Sequence, residues 1–286
     1  MKQITIISGK GGTGKTVVTA AFAVLARNAC FVDCDVDAAD LHLLLKPEIQ
    51  KTHEFKSGVT ARIDKELCTD CGMCIEACRF NAVDENYCID SLQCEGCAVC
   101  SHVCNVEAIQ MKENISGEWY ISRTRYGPMV HAKLGIAEEN SGKLVSRIRQ
   151  AASEIAQKRQ LNSVIVDGPP GIGCPVIASL SGVDIALIVT EPTLSGIHDM
   201  ERVADVAAHF SVPTCVVINK YDINVENSDA IEGLCKERHI QVLARLPFSE
   251  DVVKSVVRGI PIVEYSKDGI TPQIVELWNN VAAMMQ

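Results

Sequence analysis

Short apolar runs alternate with helical stretches over most of the chain. Runs of this kind are typical of buried parallel strands, and the stretches between them are typical of helices that cross over a sheet. A strand at Gln3–Ile7, a glycine-rich turn and a helix at Lys15–Arg27 open the chain. The pattern predicts an α/β fold with a doubly wound, mostly parallel sheet. The other predicted strands are Cys30–Asp33, Ser163–Asp167, Ile185–Thr190, Thr214–Asn219 and Gln241–Arg245, with helices near Ser195–His209 and Asn227–His239.

The stretch from Glu54 to Asn114 interrupts this alternation. It is dense in cysteine and consists of two similar halves, LCTDCGMCIEACRFNAV and LQCEGCAVCSHVCNVEAI, whose first cysteines are Cys68 and Cys94. Because strands and helices alternate on both sides, an insertion into one sheet explains the pattern better than two domains in tandem. We therefore expect residues 1–53 and 115–286 to form one discontinuous domain, with 54–114 as a small inserted α+β domain.

Composition and charge exclude several classes of protein. Hydrophobic residues make up 47% of the 286 residues and charged residues 22%, near the averages for soluble globular proteins. The formal net charge of -9 and the lack of a basic run oppose a nucleic-acid partner. The amphipathic stretch Thr271–Gln286 carries no Lys or Arg for acidic lipids, so core packing is favoured over a membrane anchor. Since no signal peptide precedes the first strand, we expect a cytoplasmic protein.

The segment SGKGGTGKT, Ser8–Thr16, fits the phosphate-binding pattern GxxxxGK[ST] and lies between a predicted strand and a predicted helix. Its glycines let backbone N–H groups surround the phosphates, and the helix N-terminus adds a positive dipole end. Lys15 can reach the β and γ oxygens, and Thr16 can ligate Mg²⁺. The predicted nucleotide-binding residues of this loop are Gly9, Lys10, Gly11, Gly12, Thr13, Gly14, Lys15 and Thr16.

The sequence KGGTGKT contains a second lysine, Lys10, and resembles the deviant Walker motif of the MinD, ParA and nitrogenase iron-protein superfamily. The resemblance implies an ATP-dependent homodimer in which Lys10 reaches the nucleotide of the partner subunit. It also implies that Lys10, Lys15 and Asp35 are catalytic. Asp35 would orient the attacking water or hold an Mg²⁺-bound water, with Asp33 and Asp37 as alternatives.

Two further segments resemble the same superfamily. VIVDGPPGIG, Val164–Gly173, resembles its switch II, which implies that Asp167 serves Mg²⁺ directly or through water. INKYD, Ile218–Asp222, is also the guanine-reading pattern of GTPases, but in this superfamily the asparagine contacts adenine. We therefore expect ATP and ADP as ligands, with Asn219 at the base.

Eight of the fourteen cysteines form CxxCxxCxxxC twice. This is the spacing of bacterial ferredoxins, in which three close cysteines bind one 4Fe-4S cluster and the fourth binds the other. Arg79 and Asn105 stand where ferredoxins usually carry proline, which leaves the reduction potentials open. Two Cys₄ zinc sites are the alternative. The predicted ligands are Cys68, Cys71, Cys74 and Cys104 for the first cluster, and Cys94, Cys97, Cys100 and Cys78 for the second.

Cys174 lies outside this pattern. It follows Asp167 at the interval at which the nitrogenase iron protein places a cysteine that ligates a cluster shared by two subunits. Because no second ligand is visible in the sequence, a structural role is favoured over an extra cluster at a dimer interface.

Together the two parts resemble MinD-superfamily ATPases that contain an inserted ferredoxin domain. The favoured hypothesis is ATP-gated electron transfer through the clusters to a redox partner. A second hypothesis is an assembly or carrier factor that delivers iron-sulfur or metal cofactors to a client protein. A third is a positioning ATPase that acts through membrane or DNA, which the acidic charge opposes.

Overall fold

In the computed structural model, which describes residues 1–135 and 141–285, nine strands form one sheet. Their order in the sheet is β3-β4-β5-β2-β6-β1-β7-β8-β9. The strands are β1 (Lys2–Ser8), β2 (Ala29–Asp33), β3 (Glu48–Ile63), β4 (Ile109–Arg123), β5 (Pro128–Leu134), β6 (Ser163–Pro170), β7 (Ile185–Thr190), β8 (Thr214–Asn219) and β9 (Gln241–Leu246).

Parallel pairing dominates the sheet. β1 pairs in parallel with β6 and β7, β2 with β5 and β6, and β8 with β7 and β9. β4 and β5 are neighbours joined by a tight turn, in which the backbone N–H of Thr124 donates to the carbonyl of Gly127. The predicted mostly parallel α/β sheet is therefore confirmed.

Eleven α-helices lie in the described residues. No helix of those residues combines the length and the apolar character that crossing a membrane requires. The helices are α1 (Lys15–Leu25), α2 (Leu41–Leu45), α3 (Met73–Ala77), α4 (Val99–His102), α5 (Ser141–Lys158), α6 (Cys174–Leu180), α7 (Leu194–His209), α8 (Val225–Glu237), α9 (Glu250–Val257), α10 (Ile262–Tyr265) and α11 (Thr271–Met284).

The side chains of β1 show how the sheet divides the core into two layers. Ile4 and Ile6 contribute to one buried cluster and Ile7 to another, as the alternation of side chains along a strand requires. The first cluster also contains Phe22 of α1, whose ring centroid lies 5.0 Å from that of Trp278 in α11. The apolar side of α11 is therefore buried, and the core-packing interpretation of the C-terminal stretch is confirmed.

Most predicted elements are present with shifted ends. The first helix stops at Leu25 rather than Arg27, because Ala26 is extended and Asn28 has a φ of 61°. The helix predicted at Asn227–His239 spans Val225–Glu237, because the Asn224 side chain accepts from the backbone N–H of Asn227 and caps an earlier start. The sequence analysis missed β3, β4, β5 and α5.

The chain divides into two units. One comprises residues 1–53, 119–133 and the chain from Ser141 onward; the other comprises Glu54–Glu118 and a short segment that begins at Leu134. The strands β3 and β4 run from the first unit into the second. The division into domains at 1–53, 54–114 and 115–286 stays a prediction.

The two cysteine-rich halves of the second unit have matching backbone hydrogen bonds. The N–H of Cys68 donates to the carbonyl of Asp64, and the N–H of Cys94 donates to that of Asp90. Each half then places one short helix, α3 or α4, directly after a residue with positive φ. The sequence repeat is thus also a repeat of local structure.

A half-buried histidine of the first unit, His131, predicts how stability changes with pH. The Nε2 atom of His131 lies 2.9 Å from the Ser122 hydroxyl, and burial lowers the pKa of His131 to about 4, with His42 acting in the same direction. As the pH falls below about 6.5, the unfolded chain takes up a proton at His131 that the folded chain does not. The free energy of unfolding therefore decreases toward acid.

We expect His131→Gln to lose part of this acid dependence. Urea unfolding followed by circular dichroism between pH 7 and about pH 5 measures it, a range above the main titration of the carboxyl groups. The exposed His209 supplies the control, since His209→Gln should keep the wild-type slope. Equal slopes in the wild type and both variants would contradict the prediction.

Candidate functional site

The loop between β1 and α1 has the form of a phosphate-binding loop. Gly12 and Gly14 have φ values of 79° and 96°, which a residue with a Cβ adopts only with strain. A Cβ at Gly14 would also lie 2.3 Å from the Asn219 side-chain nitrogen. The Thr13 hydroxyl is buried and has no hydrogen-bond partner among the described residues, so a phosphate oxygen would supply an acceptor it lacks.

Lys15 lies between two carboxylates at the carboxyl edge of the sheet. Its Nζ atom is 3.6 Å from Oδ2 of Asp35 and 3.6 Å from Oδ1 of Asp167. Burial lowers the pKa of the Lys15 ammonium, but attraction by Asp167, Asp35 and Asp33 outweighs burial and raises it. Lys15 therefore stays charged, as binding of an anionic phosphate requires.

Asp167 at the end of β6 is the centre of this cluster. Its Oδ2 accepts from the Thr16 hydroxyl at 2.8 Å, and its Oδ1 accepts from the Thr19 hydroxyl at 2.9 Å. Thr19, one turn after Lys15, was not identified from the sequence. The structure thus brings the predicted residues Lys15, Thr16 and Asp167 together.

The three candidate aspartates, Asp33 at the end of β2 and Asp35 and Asp37 after it, have different environments. Asp33 is fully buried, and its carboxylate accepts from the backbone N–H groups of Asp35 and Leu41, which is a structural role. Burial, together with the nearby Asp167, raises the pKa of Asp33 well above its usual range. Asp37 is exposed. Asp35 is partly exposed and faces Lys15, so the geometry favours Asp35 for contact with a water at the nucleotide.

The second lysine of the loop, Lys10, has other partners. Its Nζ atom lies 2.7 Å from Oε1 of Glu191 and donates to the hydroxyls of Thr193 and Ser195, each at 3.0 Å. Lys220 lies 3.2 Å from the other oxygen of Glu191 and donates to the Gly12 carbonyl at 3.2 Å. One carboxylate therefore holds two lysines beside the loop.

The sequence analysis missed Glu191. Burial raises the pKa of Glu191, but hydrogen bonds from Lys10 and Lys220 outweigh burial and hold that pKa below its usual range. Glu191 directly follows the fully buried strand β7, and this position at the carboxyl edge of a parallel sheet is the signal that the sequence offered.

Asn219 at the end of β8 contacts the loop itself. Its side-chain nitrogen donates to the Thr13 carbonyl at 2.7 Å, and its side-chain oxygen accepts from the backbone N–H of Lys220. The structure thus places Asn219 at the nucleotide loop. Its contact with adenine stays a prediction.

The oxygen atoms of Thr16 and Asp167 are suitable ligands for Mg²⁺. This ion usually takes one or two carboxylates and completes its shell with water and substrate phosphates. Thr16 and Asp167 offer a hydroxyl and a carboxylate in direct contact. In residues 1–135 and 141–285, no group of three or more His, Cys, Asp or Glu side chains could hold a metal ion. Mg²⁺ would therefore need phosphate oxygens as further ligands.

The eight repeated cysteines lie in the second unit. Burial raises the pKa of the Cys74 thiol, with Cys68 and Cys71 acting in the same direction, and burial raises the pKa of the Cys100 thiol, with Cys94 and Cys97 acting in the same direction. The Asn105 side chain lies 3.6 Å from the Met73 sulfur, which places the neighbouring Cys104 near α3. A small cavity is lined by the four cysteines predicted for the second cluster, which are Cys78, Cys94, Cys97 and Cys100.

Cys174 is exposed at the first residue of α6. In the described part of the chain it belongs to no group that could hold a metal ion. Its neighbour is Gly142 of α5, where an added Cβ would lie 3.1 Å from the Cys174 Cβ. The additional interface cluster stays a prediction without a second ligand.

Comparisons with known proteins agree with the nucleotide site. Residues 4–262 match the family model "CobQ/CobB/MinD/ParA nucleotide binding domain". An uncharacterised protein of Methanocaldococcus jannaschii is 32% identical over 282 residues, which is 98% of this chain and 96% of that protein. The septum site-determining protein MinD of Bacillus subtilis is 23% identical over 270 residues, covering 91% of this chain and 81% of that protein.

Solved structures of MinD show the same fold. MinD of Pyrococcus horikoshii, complexed with Mg-ADP, superposes with a TM-score of 0.61 at 17% identity, covering 100% of this chain and 98% of that chain. MinD in the MinC:MinD cell division protein complex of Aquifex aeolicus superposes with a TM-score of 0.58 at 18% identity, covering 99% and 96%.

These findings correct the functional hypothesis. ATP-gated electron transfer requires redox clusters, and no group of three or more His, Cys, Asp or Glu side chains in the described residues converges on a single metal ion. Those relatives and similar structures whose names state a role are MinD- and ParA-type proteins, and the names refer to septum siting, cell division and partition rather than to electron transfer. The prediction that hydrolysis drives electron transfer to a partner is therefore wrong. The chain belongs to the CobQ/CobB/MinD/ParA family and is a P-loop ATPase for which ATP and Mg²⁺ are the expected ligands.

Proposed function

We propose that the chain is an ATP-dependent dimerisation switch in which Lys10 acts on the nucleotide of the partner subunit. The observation that carries this proposal is the separation of the two loop lysines. Lys15 is engaged by Asp35 and Asp167, whereas Lys10 is bound to Glu191. Because the two lysines of this loop have different partners, they are suited to different roles, Lys15 at the nucleotide of its own subunit and Lys10 at the nucleotide of the partner subunit.

In this proposal each subunit supplies most of its own site. Lys15 and the loop N–H groups bind the phosphates, Thr16 and Asp167 hold Mg²⁺, and Asp35 orients water. Held by Thr16 and Asp167, Mg²⁺ would supply positive charge that offsets the charge of the phosphates. Lys10 leaves Glu191 and approaches the γ-phosphate of the partner subunit, where a positive charge stabilises the transition state.

Lys10→Ala tests the role of this lysine. We expect the rate of ATP hydrolysis to fall by about 10²-fold or more, because a charge aimed at the transferred phosphoryl group is lost. ATP binding should persist, because Lys15 remains. Phosphate release, measured over a range of protein concentrations, and ATP binding by calorimetry provide the two readouts, with Lys15→Ala as the variant that loses binding.

Mixing two inactive variants separates action within a subunit from action across the dimer. In a mixed dimer of Lys10→Ala with Asp35→Asn, one site retains its own Asp35 and receives Lys10 from the partner. Activity should then reappear on mixing, approaching half of the activity per mixed dimer. If Lys10 acts within its own subunit, no site in the mixture is complete, and the absence of rescue would contradict the proposal.

Glu191 is proposed to position Lys10 until the dimer forms. Its carboxylate, 17% exposed, binds Lys10 on one oxygen and Lys220 on the other. Because release of Lys10 breaks a hydrogen-bonded charge pair, formation of the active dimer must offset this loss. Glu191 thereby opposes spontaneous activation of single subunits.

We expect Glu191→Gln to weaken the interaction between the side chain at position 191 and Lys10. The protein concentration at half-maximal ATPase rate should fall several-fold, since less energy is needed to redirect the lysine. Glu201→Gln, in α7 and paired with Arg238 away from the loop, is the matched control and should behave as the wild type. A concentration dependence that Glu191→Gln leaves unchanged would remove Glu191 from this role.

The dimer is further proposed to bind a protein partner in one nucleotide state. The support is the Aquifex aeolicus complex, in which a MinD protein of the same fold is bound to MinC. ATP hydrolysis would then determine when the partner protein is released.

We also propose that the second unit is a ferredoxin-like insertion that holds two 4Fe-4S clusters as resident cofactors. Each iron of such a cluster takes its own cysteine, so the thiolates surround a cube and do not converge on one ion as in a zinc site. The cavity between Cys78, Cys94, Cys97 and Cys100 supports this arrangement. So do the backbone N–H groups of Ala82 and Ala108, which point at the sulfurs of Cys78 and Cys104 at 3.4 and 3.3 Å.

Iron and acid-labile sulfide in anaerobically prepared full-length protein test this proposal. We expect about eight of each per chain. Cys97→Ala should lose up to half of both, whereas Cys88→Ala, which changes another exposed cysteine of the same unit, should lose none. Protein that contains zinc, or neither iron nor sulfide, would reject the clusters and leave the ATPase proposal untouched.

A further inference from the structure

A groove with an unusual charge lies in the first unit, away from the nucleotide loop. It has a volume of about 890 Å³ and is formed by the start of β3, the end of β4 and one side of α5. Five of its lining residues are basic and one is acidic, in a chain with 36 acidic and 27 basic residues. The basic residues are Lys51, Arg123, Arg147, Lys158 and Arg159, and the acidic residue is Glu154.

No carboxylate of the described residues neutralises these five cations. Within residues 1–135 and 141–285, none of them forms an ion pair, and all are exposed. Exposed arginines elsewhere in the described residues are of both kinds: Arg238 pairs with Glu201 and Asp205, whereas Arg27 and Arg62 form no ion pair, so the groove is distinguished by the concentration of its cations. A concentration of unpaired positive charge in an acidic protein favours an anionic ligand.

The wall of the groove is a stack of rings with one unsatisfied nitrogen. The rings of His53 and Trp119 are stacked with centroids 4.0 Å apart, and the Arg147 guanidinium lies 4.8 Å from the Trp119 centroid. The Nε2 atom of His53 is buried and has no hydrogen-bond partner in the described residues.

The spacing of the cations favours a polymer over a small molecule. Arg147 and Lys158 lie near the two ends of the groove side of α5, and a helix places residues at this separation about 16 Å apart. Apolar side chains of Ile121, Ala151 and Ile155 lie among the cations. A matching ligand therefore has acidic and apolar groups in alternation along its length.

We propose that this groove binds an acidic, amphipathic segment of a partner protein. Nucleic acid fits less well, because bases need exposed aromatic faces and Trp119 is 4% exposed. A flat layer of acidic lipid fits less well than a chain, because the cations line a concave groove. The proposal of this partner site does not depend on the proposal made above for the nucleotide site.

A display selection with random 16-residue peptides tests the groove. Peptides are selected on the immobilised full-length chain and then sorted on Arg147→Glu/Lys158→Glu. The control is Lys143→Glu/Lys236→Glu, which makes the same change of charge at exposed residues outside the groove. We expect a class of acidic peptides with spaced apolar residues that binds the wild type and the control, but binds the groove variant at least tenfold more weakly in fluorescence anisotropy.

Several results would overturn the proposal. One is the recovery of no acidic peptides that distinguish the groove variant from the control. Another is a single-stranded oligonucleotide, or a vesicle containing phosphatidylserine, that binds the wild type more tightly than any selected peptide and is lost in the groove variant. The basal ATPase rate of the groove variant should equal that of the wild type. A variant that loses both this rate and peptide binding would be misfolded. Hydrogen exchange at residues 147–158, measured in the unliganded variant, detects such misfolding independently.

Discussion

The buried charge cluster around Asp167 is the constraint on which the nucleotide site depends. A carboxylate that is fully buried at the end of a parallel strand is costly unless its charge and lone pairs are matched. Here Lys15, Thr16 and Thr19 supply an ammonium and two hydroxyls, all from the first turns of α1. Because these donors directly follow Gly14, the last glycine of the loop, the match fixes the start of α1 and the point at which the loop ends. Phosphate binding thus uses a geometry that folding already requires.

The same loop connects to more distant parts of the first unit through a few hydrogen bonds. Asn219 and Lys220 after β8 hold the carbonyls of Thr13 and Gly12, and Glu191 after β7 holds Lys10. On the other side, Arg149 of α5 donates to the carbonyls of Ala178 and Ser181 in and after α6, which follows the loop that leaves Asp167. A change at the phosphates therefore has short physical paths to β7, β8 and α5, the last of which forms one wall of the basic groove.

Sequence reasoning located the fold and the loop because both follow local rules. Apolar runs identified β7 and β8 with correct ends, and the spacing of Gly, Lys and Thr identified the phosphate-binding loop. It failed at β3 and β4, whose mixed polar and apolar residues were attributed to the cysteine repeat, and at α5, which no motif marks. The position of Glu191 directly after β7 was a local signal, but its contacts with Lys10 and Lys220 could not be predicted, because these residues are distant in sequence. Contacts of this kind depend on which strands become neighbours, and a single sequence does not encode that order in any short pattern.

The stack of His53 and Trp119 explains how a cysteine-rich segment can be accommodated inside an ATPase sheet. The chain leaves the first unit at His53 and returns at Trp119, and the rings of these two residues are in contact. Because the chain leaves and re-enters the first unit at adjacent positions, the residues between them form a closed loop that leaves the pairing of the strands intact. The entropic cost of closing such a loop rises only slowly with its length. The stack fixes the first-unit ends of β3 and β4, and these ends form the floor of the basic groove. The basic groove thus lies at the place where the chain leaves and re-enters the first unit.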